Sequence, residues 1–322
     1  MKRLAPYLAL SAVLVMILAF VSCSKTSEKE DASTVRIVAA SFPQYDWLRE
    51  ITKGVEGVEL VLLNKNGTDL HSYQPSIEDI RKIGSSTLFV FTGGESEEWA
   101  QDAVKALGKS EESVFSMLNE LGERALEEEI VEGMEGEHEE YEDSEIDEHV
   151  WLSLKNAIYL VSSLAKRLSE LDSANSQAYI SNAKAYIEKL SALDKQYTET
   201  VKTSVLDTII VADRFPFLYL VKDYSINYYA AFSGCSAETE ASFNTIIFLA
   251  EKTESLGTDS ILILEKSDDR LAKTIIENTE LKNVKTLVLN SLQSVSEADI
   301  NSGLTYIYVM EQNLEVLKEA LN

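Results

Sequence analysis

Basic side chains, cysteine and histidine are all scarce in this chain. Lysine and arginine number 29 against 54 aspartates and glutamates, leaving a formal charge of −25. That balance excludes nucleic acid as a partner, because neutralising phosphates needs a basic footprint. The 2 cysteines, Cys23 and Cys235, cannot build a disulfide framework, so the fold must rest on its core. No Walker loop, dinucleotide fingerprint or nucleophile elbow is present, and Gly93-Gly94 is a lone strand-to-helix turn. The one conspicuous apolar run, Tyr7 to Val21, is shorter than the roughly 20 residues that span a bilayer comfortably.

That run follows Met1-Lys2-Arg3 and precedes Ser22-Cys23-Ser24, the pattern of a secretory signal. Phe20-Val21-Ser22-Cys23 resembles a bacterial lipobox, in which the cysteine is acylated and becomes the first mature residue; an uncleaved membrane anchor is the other reading. Residues 1–23 are therefore expected to be a signal peptide with Cys23 lipidated. Residues 24–34, small or charged, read as a flexible tether.

The remaining ~290 residues suffice for one large or two smaller α/β domains. Strand-like runs at 35–40, 58–63 and 87–91 alternate with helix-like ones at 45–52, 77–83 and 97–107. This βαβ rhythm predicts a mostly parallel sheet covered by helices. From Asn156 to about Thr203 there is no proline, and two apolar stripes recur at helical spacing. The second stripe predicts a helix of ~30 residues, about 45 Å long. A second βαβ series follows at 208–211, 227–230, 260–264 and 286–289, and an amphipathic helix runs from Tyr306 to Leu321. The predicted architecture is α/β: two lobes with parallel-type sheets, 35–172 and 205–322, joined by a backbone helix at 173–204.

Two of the 3 histidines sit in phrases suited to holding a metal: Asp69-Leu70-His71-Ser72 and Asp147-Glu148-His149-Val150-Trp151. Between them, Glu127 to His149 carries thirteen acidic residues and no lysine or arginine. The acidic loop at 127–148 reads as a solvated segment that raises the local cation concentration. His138-Glu139-Glu140-Tyr141-Glu142 falls one residue type short of a metalloprotease helix, and a catalytic metal needs an open position and a base. No enzyme activity is expected.

The chain resembles the TroA-like zinc/manganese-binding receptors of bacterial ABC transporters along nearly all of its length after the tether. The resemblance is carried by Ser41-Phe42-Pro43-Gln44-Tyr45-Asp46-Trp47, His71-Ser72-Tyr73-Gln74-Pro75-Ser76, Gly94-Glu95-Ser96-Glu97-Glu98-Trp99, His149-Val150-Trp151-Leu152, Leu264-Glu265-Lys266-Ser267-Asp268-Asp269-Arg270 and Met310-Glu311-Gln312-Asn313-Leu314. It implies a monomeric, extracytoplasmic, lipid-anchored receptor that holds one ion between its lobes and hands it to a membrane permease. Zinc is the expected ion, with manganese or iron next. His71 and His149 fall on the family's first-lobe ligand positions. In the second lobe the usual positions appear to hold Ala212 and Leu304, so carboxylates are expected to complete the shell: Asp213 first, at the carboxyl end of a strand, then Glu240. Asp213 can alternatively pair with Arg214 or Arg270. Glu265 faces the same cleft but looks structural in relatives. Cys235 reads as a small buried thiol, with thiolate ligation as its other role. A second functional reading is an adhesin, or a carrier of another ligand, on the same scaffold.

Overall fold

The computed structural model describes residues 35–135, 145–236 and 240–322. The expected signal segment and tether, with Cys23, and also His138, lie outside the described residues.

The first half contains β1 (Val35–Ala39), α1 (Phe42–Ile51), β2 (Val58–Leu62), α2 (Ile77–Ser85), β3 (Leu88–Phe91), α3 (Glu98–Leu107), β4 (Val114–Ser116) and α4 (Met117–Leu121). Its four strands form one parallel sheet in the order β2-β1-β3-β4. Two helices come next, α5 (Leu154–Leu171) and α6 (Ser176–Thr203). The second half has β5 (Thr208–Phe215), α7 (Leu218–Tyr224), β6 (Asn227–Ser233), α8 (Phe243–Leu256), β7 (Ser260–Ile263), α9 (Arg270–Glu277), β8 (Lys285–Val288), α10 (Glu297–Asn301) and α11 (Tyr306–Ala320). Its sheet is also all parallel, in the order β6-β5-β7-β8. Both halves therefore carry the two-lobed α/β arrangement that the alternating pattern predicts.

The inner strands β1, β3, β5 and β7 read as largely apolar runs because both faces of each sheet are covered there. In β1, Ile37 and Ala39 join the central core, whereas Val38 packs on the outer face with Phe89, Ile83 and Ala103. In β5, Ile209 and Val211 face the central core, and Ile210 and Ala212 the outer one. The central core is continuous from the first sheet through α5 and α6 to the second.

Helix α6 has 28 residues, close to the predicted length, and spans about 42 Å. Tyr179, Ala183, Tyr186, Leu190, Leu193 and Tyr197 form its buried face. It packs on α5, α1 and α11, so one rod contacts helices from both halves. Tyr306, at the start of α11, locks three elements together. Its N–H donates to Asp46 Oδ2 at 2.8 Å, its hydroxyl donates to the Trp151 carbonyl at 2.6 Å, and its ring meets Trp47 edge-on.

Two stretches depart from expectation. Strand β5 runs on to Phe215, and its register shifts between Val211 and Arg214. Such a bulge re-aims side chains at a strand end. The flanks of the acidic segment are tied down by main-chain hydrogen bonds, while Glu127, Glu132 and Glu145 stay exposed. Glu128 N bonds the Glu145 carbonyl, Asp147 N bonds the Leu126 carbonyl, and Glu135 N bonds the Ala231 carbonyl.

Candidate metal centre

A cleft of about 830 Å³ opens where the two sheets present their carboxyl ends. Its lining includes Asp69 and His71 after β2, Ser96 after β3, Asp213 and Arg214 on β5, Cys235 after β6, Glu265 after β7 and Gln293 after β8. Loops at strand carboxyl ends are where open parallel sheets bind ligands, because the chain reverses there and splays apart.

His71 lies in a short turn, Leu70–Ser72, capped by Asp69, whose Oδ1 accepts the His71 N–H at 3.0 Å. The other Asp69 oxygen accepts from Arg214 Nη2 at 2.7 Å, so a second-half guanidinium holds the loop that carries His71. Further stitches lie beside it: Lys266 Nζ donates to the Gly67 carbonyl at 2.7 Å, and Glu297 N to the Lys65 carbonyl at 2.7 Å. Arg214 thus pairs with Asp69 and Arg270 with Asp268, so neither neutralises Asp213.

His149 precedes the turn Val150–Leu152 and is wholly buried. Asp147 Oδ1 accepts its main-chain N–H at 2.8 Å and lies 3.2 Å from its Nδ1. The ring packs edge-on against Trp151, whose indole N–H donates to the Ser291 carbonyl at 2.8 Å.

The His71 and His149 Nε2 atoms are 3.3 Å apart. Their Nδ1 atoms are both engaged elsewhere: His149 with Asp147, and His71 with Ser96 Oγ at 2.6 Å. Glu148 Oε1 accepts the Ser96 N–H at 2.8 Å and so fixes the residue that meets His71. Asp147 accepts a hydrogen bond from His149 Nδ1–H, and Ser96 Oγ hydrogen-bonds His71 Nδ1. Each ring is thus held through its Nδ1 and presents its Nε2 to the other, the way outer carboxylates and hydroxyls orient metal-binding histidines.

Burial, reinforced by the neighbouring His149 and Arg214 against the pull of Asp69, lowers the His71 pKa to about 4. Burial also opposes charge on His149, but Asp147, Glu148 and Glu128 outweigh it and hold that imidazole above its usual value. His71 is thus neutral and ready to ligate, and an ion entering the pair displaces at most one proton. Burial, with Glu128 and Glu148 adding, keeps Cys235 as a thiol well above its ordinary range while no cation is present.

The structure brings only part of the expected set together. Among the described residues, one group of three His, Cys, Asp or Glu side chains has its ligand atoms mutually close: His71, His149 and Cys235, all within 4.8 Å. Asp213 lines the cleft, but Oδ1 accepts the Arg214 N–H at 2.9 Å and Oδ2 the Leu264 N–H at 3.3 Å. It pins the β5 bulge to the end of β7. Glu240 is exposed and does not line the cleft. Glu265 accepts from both the N–H and the hydroxyl of Ser291 at 2.8 Å, a positioning role. Ala212 is buried in the outer core, and Leu304 is half-buried against the central one.

Sequence reasoning missed Gln293. Its buried side-chain amide Nε2 lies 3.1 Å from His71 Nε2 and 2.5 Å from His149 Nε2. The available signal was its place just beyond β8, the same strand-end position that singled out Asp213.

A family model described as ZnuA, zinc-uptake complex component A, periplasmic, matches residues 37–320. The chain belongs to that family. Zinc-binding lipoprotein AdcA of Streptococcus pneumoniae is 32% identical over 323 residues, which is 99% of this chain and 61% of AdcA. The chain thus spans about three-fifths of that relative's length. High-affinity zinc uptake system protein ZnuA of Bacillus subtilis is 28% identical over 310 residues, 93% of each chain. The crystal structure of the Zn(II)-bound ZnuA-like domain of S. pneumoniae AdcA superposes with a TM-score of 0.69 at 30% identity, covering 89% of this chain and 99% of that one. Both the family description and the B. subtilis relative are thus named for zinc uptake. Among the described residues, no helix is long and apolar enough to cross a membrane.

Proposed function

We propose that this protein is an extracytoplasmic receptor, anchored by lipid on Cys23, that captures one Zn²⁺ between His71 and His149 and delivers it to an ABC permease. One observation carries the reading. Two imidazole nitrogens of one tetrahedral zinc ion, each about 2.0–2.1 Å from it, are separated by about 3.3–3.4 Å. The His71 and His149 Nε2 atoms stand 3.3 Å apart and face each other, each ring being held by a partner on its Nδ1. Two lone pairs at that distance repel unless a proton or a cation lies between them. The receptor is read as a monomer, with the acidic residues around the cleft drawing cations toward it. Asp213 and Glu240 are not carried into the ligand set, because one is committed to main-chain donors and the other is exposed.

Calorimetry on the chelator-stripped protein tests this. The expected result is saturable binding of one zinc per chain at micromolar or lower concentration. Absence of saturable binding by any divalent transition metal overturns the proposal. Mass spectrometry of the membrane-associated protein checks the anchor: an acylated N-terminal Cys23 is expected, and an intact Met1-initiated chain contradicts it.

A further inference from the structure

The two histidines supply half of a tetrahedral shell, and no carboxylate of the cleft joins them closely: among the described residues, only Cys235 forms a group of close ligand atoms with both. The amide of Gln293 supplies the other donor. As placed, its nitrogen faces both imidazole Nε2 atoms and its Oε1 lies 3.1 Å from Ser291 Oγ. Ser291 has one hydroxyl proton, and Glu265 Oε1 competes for it at the shorter distance of 2.8 Å. With that proton given to Glu265, the Gln293 oxygen faces a lone pair. With the cleft empty this is offset, because the amide N–H groups face both imidazoles; a cation that takes those lone pairs removes the benefit, and the amide then turns over at almost no steric cost. Nε2 then donates to Ser291 Oγ, and Oε1 points at two imidazole lone pairs. Three converging acceptors are stable only around a cation.

Resting on the receptor reading above, we propose that Gln293 Oε1 and the Cys235 thiolate complete the zinc shell, giving two nitrogens, one amide oxygen and one sulfur. A sulfur and a nitrogen on one tetrahedral zinc lie about 3.6 Å apart, from bond lengths of about 2.3 and 2.05 Å. The three ligand atoms of the present cluster lie within 4.8 Å of one another, so a movement on the order of 1 Å suffices to bring the sulfur into the closed shell. Cys235 lies in the turn after β6, where its N–H donates to Glu128 Oε1 at 3.1 Å. A small shift of that turn closes the gap. The Sγ–Zn bond forms as the thiol proton leaves to solvent, and no redox step is involved. Such a set selects the substrate class: thiolate and imidazole suit zinc, whereas manganese prefers carboxylates and water. This chain would therefore discriminate against Mn²⁺ through the absence of a carboxylate ligand.

Cobalt(II) replaces zinc in tetrahedral sites and reports sulfur ligation by absorption. The full chain, stripped of metal and titrated with Co²⁺, is expected to show tetrahedral ligand-field bands and a thiolate-to-cobalt charge-transfer band, both saturating at one equivalent. Cys235→Ser is expected to bind one equivalent without the charge-transfer band and at least tenfold more weakly. Gln293→Glu is expected to raise Mn²⁺ affinity at least tenfold relative to Zn²⁺. Circular dichroism melts of both metal-free variants, expected to match the parent, exclude misfolding as the cause. Stoichiometric cobalt binding with no charge-transfer band in the parent overturns the thiolate and leaves the receptor reading intact. An unchanged Zn²⁺/Mn²⁺ preference in Gln293→Glu overturns the amide ligand. Absence of any binding overturns the receptor reading as well.

Discussion

Replacing Gly94 by alanine strikes the hydrogen bonds that orient His71 without touching a ligand. Gly94 has φ +84°, and a Cβ built there would lie 2.6 Å from both Cγ and Oε1 of Glu148, a buried side chain. Glu148 cannot retreat without releasing the Ser96 N–H it accepts at 2.8 Å, and Ser96 Oγ is the partner of His71 Nδ1. Gly54 provides the control: its φ is +74°, and nothing lies within 4 Å of an added Cβ. Both substitutions incur the strain of a left-handed alanine, about 1–2 kcal/mol. Only Gly94→Ala also loses a hydrogen bond to a charged acceptor, about 1.5–3 kcal/mol. Urea unfolding followed by circular dichroism should therefore show a loss of about 2.5–5 kcal/mol at Gly94 against about 1–2 kcal/mol at Gly54. Zinc affinity measured alongside should drop for Gly94→Ala alone. Equal stability losses in the two variants would refute the argument that Glu148 occupies the space beside Gly94.

Three further expectations follow from the same geometry. His71→Ala or His149→Ala is expected to weaken zinc binding at least tenfold, about 1.4 kcal/mol, by calorimetry; unchanged affinity and stoichiometry in both would remove these residues from the site. Ser96→Ala frees the His71 ring and is expected to raise the zinc Kd by about 10–100-fold with the stoichiometry held at one, the usual effect of deleting an outer hydrogen-bond partner. Glu97 is fully buried, and burial, with the Glu148 charge adding, lifts its pKa from 4.5 to about 8 against the Thr92 and Gly93 N–H groups it accepts. Because the folded value lies above the unfolded one, its contribution to stability is whole below about pH 4.5 and is lost as pH rises through about 8. The unfolding free energy of the parent minus that of Glu97→Gln should accordingly fall between about pH 5 and pH 9, and a flat difference would contradict the assignment.

The framework was legible because strand and helix differ in period. Most of β1, β2, β3, β6, β7 and β8 could be placed within a residue or two, since parallel strands covered on both faces read as unbroken apolar runs. The length of α6 followed from its stripe of Tyr179, Ala183, Tyr186, Leu190, Leu193 and Tyr197. Helix α8 did not show itself: Phe243–Leu256 carries exposed Phe243 beside buried Leu249, so no clean apolar face stands out. The far end of β5 was lost to the bulge that follows Val211.

The site divides along chemical lines. His71 and His149 could be found because histidine is rare here and its neighbours, Asp69 and Asp147, are the groups that orient an imidazole. For the second half, charge was taken as the mark of a ligand, whereas the set proposed above rests on Gln293 and Cys235. Asp213 has the charge, yet spends both oxygens on main-chain N–H groups that the β5 bulge leaves unpaired. Gln293 and Cys235 are neutral residue types with many uses, and only the convergence of β6, β8 and the His71 loop in space gives them a shared purpose. The contact between Arg214 and Asp69 spans 145 residues of sequence and was equally invisible to local pattern.

Zinc K-edge absorption on the loaded protein bears most directly on whether the two imidazoles grip one ion. The outer-shell scattering characteristic of histidine should fit two imidazoles, with zinc–nitrogen distances of about 2.0–2.1 Å, in the parent chain, and one in His149→Ala. A spectrum fitted by oxygen neighbours alone, unchanged by that substitution, would place the ion elsewhere and contradict the account.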